Sequence, residues 1–188
     1  MNMAKEIFLE TPRLYLRNPS VRDFERFFLM SKDPDVMKFI GNGNIFYWTK
    51  EVAFEKYMQT LSSSEKNDGF TGSLSVYRKD QDLYIGWCNI GYSGFLDHME
   101  LGYRYLKDSW GKGYATEAGY AYLKEMFVRT DISEVQSCVH PENMKSIKVL
   151  EKLGFAYSHN KYSRPVSRDI FVYQVDCELL ERCHMVPG

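Results

Sequence analysis

Cysteine is scarce in this chain and badly spaced for chemistry. The 188 residues include four, Cys88, Cys138, Cys177 and Cys183, and no two of them have C-x-x-C spacing. Neither a zinc site nor a dithiol redox pair is therefore indicated. Charge of one sign is lacking as well. Lys and Arg total 24 against 25 Asp and Glu, a net charge of −1, which offers no electrostatic case for nucleic acid or an anionic membrane as partner. No apolar run approaches the ~18–20 residues that spanning a bilayer needs. The opening Met-Asn-Met-Ala-Lys-Glu lacks the apolar core of a signal peptide. Internal repeats, low-complexity tracts and proline-rich linkers are also missing. What is left, 44% hydrophobic and 26% charged residues, is an ordinary globular composition, and the length suits one domain of roughly 100–200 residues. The expectation is a single domain over residues 1–188, reduced and cytoplasmic.

Apolar periodicity divides the chain into elements. Arg13 to Asn18 alternates and reads as a strand. Ser20 to Asp23 resembles a capping box opening a helix striped by Phe24, Phe27 and Phe28. Asp33 to Trp48 holds glycines, asparagines and the aromatics Phe39, Phe46, Tyr47 and Trp48. Thr49 looks like the N-cap of a second helix carrying Phe54, Tyr57, Met58 and Leu61. After a polar loop, Ser62 to Gly69, come three strand patterns: Phe70 to Arg78, Leu83 to Tyr92 and Met99 to Leu106. Lys79 to Asp82 suits a hairpin turn between the first two. A helix over Tyr114 to Val128, a strand over Glu134 to Val139 and a helix from Asn143 to Leu153 with Gly154 as its C-cap follow. Strands at Phe155 to Tyr162 and Asp169 to Glu178 close the chain. The order β α α β β β α β α β β is mixed α+β, without the strict alternation of a doubly wound fold.

The densest information lies in Trp110-Gly111-Lys112-Gly113-Tyr114-Ala115-Thr116-Glu117-Ala118. Glycines between a strand and a helix N-terminus leave backbone N–H groups bare, and the helix dipole favours an anion there. An ordinary tight turn is the alternative. A Walker A loop would need glycine where Leu106 stands and Ser or Thr where Gly113 stands, so that scheme fails. A dinucleotide fingerprint finds Gly111 and Gly113 but Thr116 in its last position. Glu134, about 20 residues on, begins a strand where the ribose-binding acid should end one.

A third scheme matches. Trp110 to Ala118 resembles the pyrophosphate loop of the GNAT acetyltransferases, usually Gln/Arg-x-x-Gly-x-Gly/Ala, with Trp110 in the Gln/Arg position. That departure is typical of the branch resembling ribosomal-protein N-acetyltransferases of the RimJ/RimL type. Glu10-Thr11-Pro12-Arg13-Leu14 resembles the opening of that branch, and Met99-Glu100-Leu101-Gly102-Tyr103 its fourth strand. Asn143 to Phe155 resembles its Asn-x-x-Ser helix with a Gly-Phe ending. The resemblance implies a GNAT fold: a mostly antiparallel sheet of about seven strands, splayed between strands four and five and flanked by about four helices. It implies acetyl-CoA as co-substrate, no metal, and a primary amine as acceptor, either a protein or peptide N-terminus or a small amine. Family habit also allows a homodimer.

By the same resemblance, N–H groups from Gly111 through Lys112, Gly113, Tyr114 and Ala115 to Thr116 hold the pyrophosphate. The backbone of Tyr103, Tyr105 and Leu106 pairs with the pantetheine arm, and an N–H near Leu106 serves as oxyanion donor. The rings of Tyr103 and Tyr105 read as sheet packing. Deprotonation separates acceptor classes. A lysine-like amine near pKa 10.4 is neutral in under about one part in a thousand at pH 7, an α-amine near 7.7–8 in roughly a tenth. Glu100 is the candidate base, directly or through water; an exposed carboxylate paired with Arg104 is the plainer reading. The tyrosine that many GNAT enzymes use to protonate the CoA thiolate is replaced by Leu150. Ser146 is the candidate acid or sulfur partner, unless it only bonds local backbone. Asn143 reads as an N-cap, and by resemblance it also faces the pantetheine.

His98 and His140 have no ligand-spaced partners and read as loop or surface residues. Acetyl-cysteine chemistry is disfavoured. Residues Phe39 to Trp48 form either an aromatic wall at the acceptor mouth or packing for the second helix. A non-catalytic acetyl-CoA-binding regulatory module stays open as the other function.

Overall fold

The computed structural model describes residues 7–40, 44–64 and 71–185. In chain order it contains β1 (Ile7–Glu10), β2 (Leu14–Arg17), α1 (Phe24–Lys32), α2 (Pro34–Met37), α3 (Asn44–Tyr47), α4 (Lys50–Ser64), β3 (Gly72–Arg78), β4 (Leu83–Ser93) and β5 (His98–Tyr105). Then follow α5 (Tyr114–Arg129), β6 (Glu134–Val139), α6 (Met144–Lys152), β7 (Ala156–Ser163), β8 (Arg168–Asp176) and α7 (Cys177–Met185). The strands form one sheet in the order β1-β2-β3-β4-β5-β6-β8-β7. All neighbours are antiparallel except β5 and β6, which run parallel and share a single register pair, Glu100 with Gln136. This is the expected splay, between the segments counted above as the fourth and fifth strands.

Alternation along β2 to β5 sorts side chains onto two faces. Leu14, Leu16, Leu74, Val76, Cys88, Ile90, Leu101 and Tyr105 turn to one face. There Tyr122, Leu123 and Met126 of α5, Leu150 of α6 and Leu180 of α7 cover them. The other face meets α1 and α4 through a smaller cluster of Phe24, Ala53 and Tyr57. Asp23 fastens α1 to β3. Its carboxylate accepts from the Ser20 N–H at 2.9 Å, the Ser75 hydroxyl at 2.7 Å and the Tyr77 hydroxyl.

The structure corrects several expectations. Among the described residues, eight strands replace about seven, because β1 is only four residues long and carries too little pattern to read. Seven helices, counted over the same residues, replace about four. Asp33 to Trp48 holds two single-turn helices, α2 and α3; the first is started by the Asp33 side chain bonding the N–H groups of Asp35 and Val36. The last strand stops at Asp176, whose side chain accepts from the Leu179 N–H at 2.8 Å and opens α7. Ser20 precedes a 3-10 turn at Val21–Asp23, so α1 begins one step later than expected. Among the described residues, no helix is long and apolar enough to cross a membrane. Glu65 to Gly69 of the expected polar loop, Phe70 of the strand after it, and Gly41 to Gly43 lie outside the described residues.

Gly154 ends α6 as expected and does more. At φ +84° it sits in the left-handed region, with Phe155 N–H bonded to Leu150 O and Gly154 N–H to Glu151 O, both 3.0 Å. A Cβ there would lie 2.7 Å from the Leu179 carbonyl oxygen of α7. Gly154→Ala therefore combines backbone strain with a backbone clash. We expect a loss of ~2–4 kcal/mol and a melting temperature ~5–15 °C lower by circular dichroism.

Candidate active site

Between β5 and α5 the chain makes a 3-10 turn at Lys107–Ser109 and then the glycine loop. Gly111 (φ +74°) and Gly113 (φ +81°) both adopt the left-handed conformation, and Gly113 is the N-cap of α5 without a side chain to cap it. The first intrahelical bond runs from the Glu117 N–H to the Gly113 carbonyl at 3.0 Å. The N–H groups of Tyr114, Ala115 and Thr116 thus end the helix without intrahelical acceptors. The loop is braced from both sides. The Trp110 indole N–H donates to the Tyr105 carbonyl at 2.9 Å, and the Lys145 ammonium lies 4.6 Å from the Trp110 ring centre. Opposite, Arg13 donates to the Lys112 carbonyl at 2.9 Å and to Glu117 at 2.6 Å. The Thr11 hydroxyl and the Arg13 N–H bind the same carboxylate at 2.6 and 2.9 Å.

Glu117 is half-buried, which by itself would raise its pKa. The bonds from Thr11 and Arg13 outweigh that and hold it below the usual carboxylate value. Its ionised form therefore stabilises the fold at neutral pH, and that contribution fades only as pH falls through the depressed value. The ion pair also cancels a negative charge that would otherwise oppose an anion at this helix end.

Beside the loop, the splayed edge of β5 is divided by strand alternation. The Leu106 N–H donates to the Ile85 carbonyl of β4 at 2.9 Å, whereas the Leu101 carbonyl faces β6 and accepts from the Ser137 hydroxyl at 2.8 Å. Tyr103 and Tyr105 share the Leu101 side, so their N–H groups face the gap. The N–H of Leu106 itself is consumed in the sheet. Tyr105 supplies the N–H nearest to Leu106 that faces the gap.

On the sheet face away from α5, Glu100 borders a cavity of about 460 Å³ lined also by Gly102, Trp87, Asn89, Ser73 and Tyr92. The Cys138 thiol donates to the Glu100 carboxylate at 2.9 Å. Burial first, and the Glu100 charge second, push the Cys138 pKa up, which keeps it a neutral donor and a poor nucleophile. Arg104 does not pair with Glu100 as the plainer reading expected. Four residues apart on a strand is about 13 Å; Trp87 covers Gly102 between them, and the Arg104 guanidinium stacks 5.4 Å from the Trp87 ring centre.

Residues 13–156 match the acetyltransferase (GNAT) domain. An uncharacterised N-acetyltransferase p20 of Bacillus licheniformis is 30% identical over 151 residues, 78% of this chain and 81% of that protein. A GNAT-family acetyltransferase structure from Bacillus anthracis aligns with TM-score 0.76 at 25% identity, covering 90% of this chain and 98% of that one. The fold is shared by RimL, a ribosomal L7/L12 α-N-protein acetyltransferase solved with coenzyme A, at TM-score 0.76 and 13% identity over 93% and 99% of the two chains. The chain belongs to the GNAT family. It is an acetyl-CoA-dependent acetyltransferase, and the RimJ/RimL-like resemblance extends to its structural neighbours.

In this GNAT chain the first turn of α6 lies beside the glycine loop, with Lys145 against Trp110. The Asn143 side chain accepts from the Ser146 N–H at 3.2 Å, the N-cap role expected of it. Leu150, in the slot many family members give to tyrosine, is fully buried in the core and faces no solvent. The Ser146 hydroxyl instead meets the Tyr103 hydroxyl at 2.8 Å. That contact has no signal in the sequence, since an alternating strand says nothing of which helix covers it. Burial pushes the Tyr103 pKa up to about 12. His98 pairs with Glu134 at 3.0 Å, and His140 lies against Phe39 with ring centres 4.8 Å apart, so neither joins Glu100. The aromatic segment divides: Trp48 packs on the α1/α4 cluster, while Phe39 reaches the end of β6.

Proposed function

We propose that this enzyme moves the acetyl group of acetyl-CoA onto a primary amine, a protein or peptide N-terminus or a small amine, by direct attack in a ternary complex. The observation that carries this reading is the division of β5. Its edge presents Tyr103 and Tyr105 N–H groups to the splay, while its other face presents Glu100 to a separate cavity. The pyrophosphate would rest on the N–H groups from Gly111 to Thr116. The pantetheine would extend along Tyr103 and Tyr105, with Asn143 and Ser146 of α6 alongside. The Tyr105 N–H would meet the charge that develops on the thioester oxygen. Glu100 would take the amine proton, directly or through water, with the Cys138 thiol fixing one of its oxygens.

A cavity of about 460 Å³ falls within the roughly 300–1,000 Å³ of small-ligand sites. Its mixed lining of Trp87, Tyr92, Ser73 and Asn89 supplies one aromatic wall and several polar groups, which suits an amine next to an amide or hydroxyl. Calorimetric titration with acetyl-CoA, with NADH as control, tests the donor. Thiol release with short peptides and with simple alkylamines then tests the acceptor. We expect micromolar acetyl-CoA binding, none of NADH, and faster turnover with peptide α-amines. NADH binding, or no turnover with either amine class, would overturn the proposal.

A further inference from the structure

Tyr103 comes from β5 and Ser146 from the first turn of α6, and their hydroxyls meet at 2.8 Å. The serine is otherwise fixed. Its N–H is bonded to Asn143, and its carbonyl has the place of an acceptor within the helix. Among the described residues, Tyr103 is the only polar partner of the Ser146 hydroxyl oxygen. The tyrosine hydroxyl also donates to the Ser146 carbonyl at 3.2 Å, the longer of its two contacts with this serine. Burial keeps the phenol protonated throughout the working range, so its hydrogen is available to Ser146. A serine hydroxyl that accepts a hydrogen bond has its own hydrogen free to point elsewhere. The splay between β5 and β6 opens beside this pair, on the side where the Tyr103 and Tyr105 N–H groups face the gap.

We infer that Tyr103 is a positioning residue for the leaving thiolate: it donates to Ser146 Oγ and turns the serine O–H toward the sulfur of CoA. The inference rests on the acetyl-transfer reading above. In the step, the amine nitrogen bonds the acetyl carbon, the C–S bond breaks and its electron pair stays on sulfur. The amine proton goes to Glu100, and CoA departs as a thiolate hydrogen-bonded to Ser146. Neither hydroxyl is consumed. The arrangement replaces the tyrosine missing at Leu150 by a two-residue device from different elements.

The test needs no acceptor. The ultraviolet thiolate band of CoA bound to the enzyme is followed against pH, with the acetyl-CoA complex subtracted. Hydrogen bonding to the charged form should give about tenfold more thiolate at pH 7 than free CoA has. Ser146→Ala should abolish the gain, Tyr103→Phe should abolish it equally, and the double variant should lose no more than either. Ser146→Thr, which keeps the hydroxyl, should retain it. A gain lost in Ser146→Ala but kept in Tyr103→Phe would overturn the inference and leave the acetyl-transfer reading standing. Absence of any gain in the unaltered enzyme would overturn the Ser146 role and this inference together, while thiol release with amines would still report on acetyl transfer.

Discussion

Glu100→Gln is expected to lower kcat at pH 7 by about 100-fold or more, with acetyl-CoA affinity unchanged within about twofold. A positioned general base contributes ~10²–10⁴-fold, and the amide keeps the size of the carboxylate while losing its ability to take a proton. The amide oxygen can still accept from Cys138, so the β5–β6 contact at 2.9 Å survives. Binding of the donor is spared because Glu100 faces the cavity side of β5 and the donor would lie along its edge. The pH dependence carries a sign. An α-amine near pKa 7.7–8 becomes mostly neutral by pH 9, roughly six- to tenfold more than at pH 7. Part of the lost rate should therefore return at alkaline pH. Steady-state kinetics at both pH values checks this. Unchanged turnover at pH 7 would remove Glu100 from the reaction, and a deficit that ignores pH would assign it to positioning the amine.

The parts of this enzyme that could be read in advance are those whose signal is local. The β3–β4–β5 meander alternates, α5 and α6 repeat at helical spacing, and the glycines at 111, 113 and 154 stand where the backbone needs a left-handed residue. Glu100, Asn143 and Ser146 could be nominated as candidates because they lie inside short motifs. What stayed hidden depends on contacts between distant residues. Arg13 reaches Glu117 across 104 positions, and Tyr103 reaches Ser146 across 43. No spacing rule encodes either pair, because both arise from which element the sheet brings opposite which. The N–H near Leu106 that faces the gap could not be assigned to one residue for a related reason. Only the direction of the β4–β5 ladder decides whether Leu106 or Tyr105 faces the splay, and a one-residue step reverses that direction. The helix α7 escaped because its start depends on Asp176, which alternation alone assigns to a strand.

Gly113→Val is expected to weaken acetyl-CoA binding about 100-fold, close to 2.7 kcal/mol. A β-branched residue is poorly tolerated at φ +81°, and leaving the left-handed region relieves roughly 1–2 kcal/mol of strain. The free loop would relax, so the complex would have to restore the strained form or forgo N–H contacts to the pyrophosphate. Contacts of that charge-assisted kind are worth about 1.5–3 kcal/mol each. Sterics act in the same direction. A Cβ at this position would stand 3.3 Å from the Arg13 guanidinium, and the further methyls would displace it from Lys112 and Glu117. Glu117 would keep the Thr11 hydroxyl and the Arg13 main-chain N–H but lose the guanidinium that cancels its charge near the phosphates. Gly111→Ala separates the two causes, because Gly111 has φ +74° but open space for 4 Å around the place a Cβ would take. It should weaken binding by only about tenfold, strain without displacement of Arg13. Equal losses in the two variants, measured by calorimetry, would show that Arg13 does not matter to the loop. Binding of acetyl-CoA to Gly113→Val at full strength would mean that the pyrophosphate rests elsewhere.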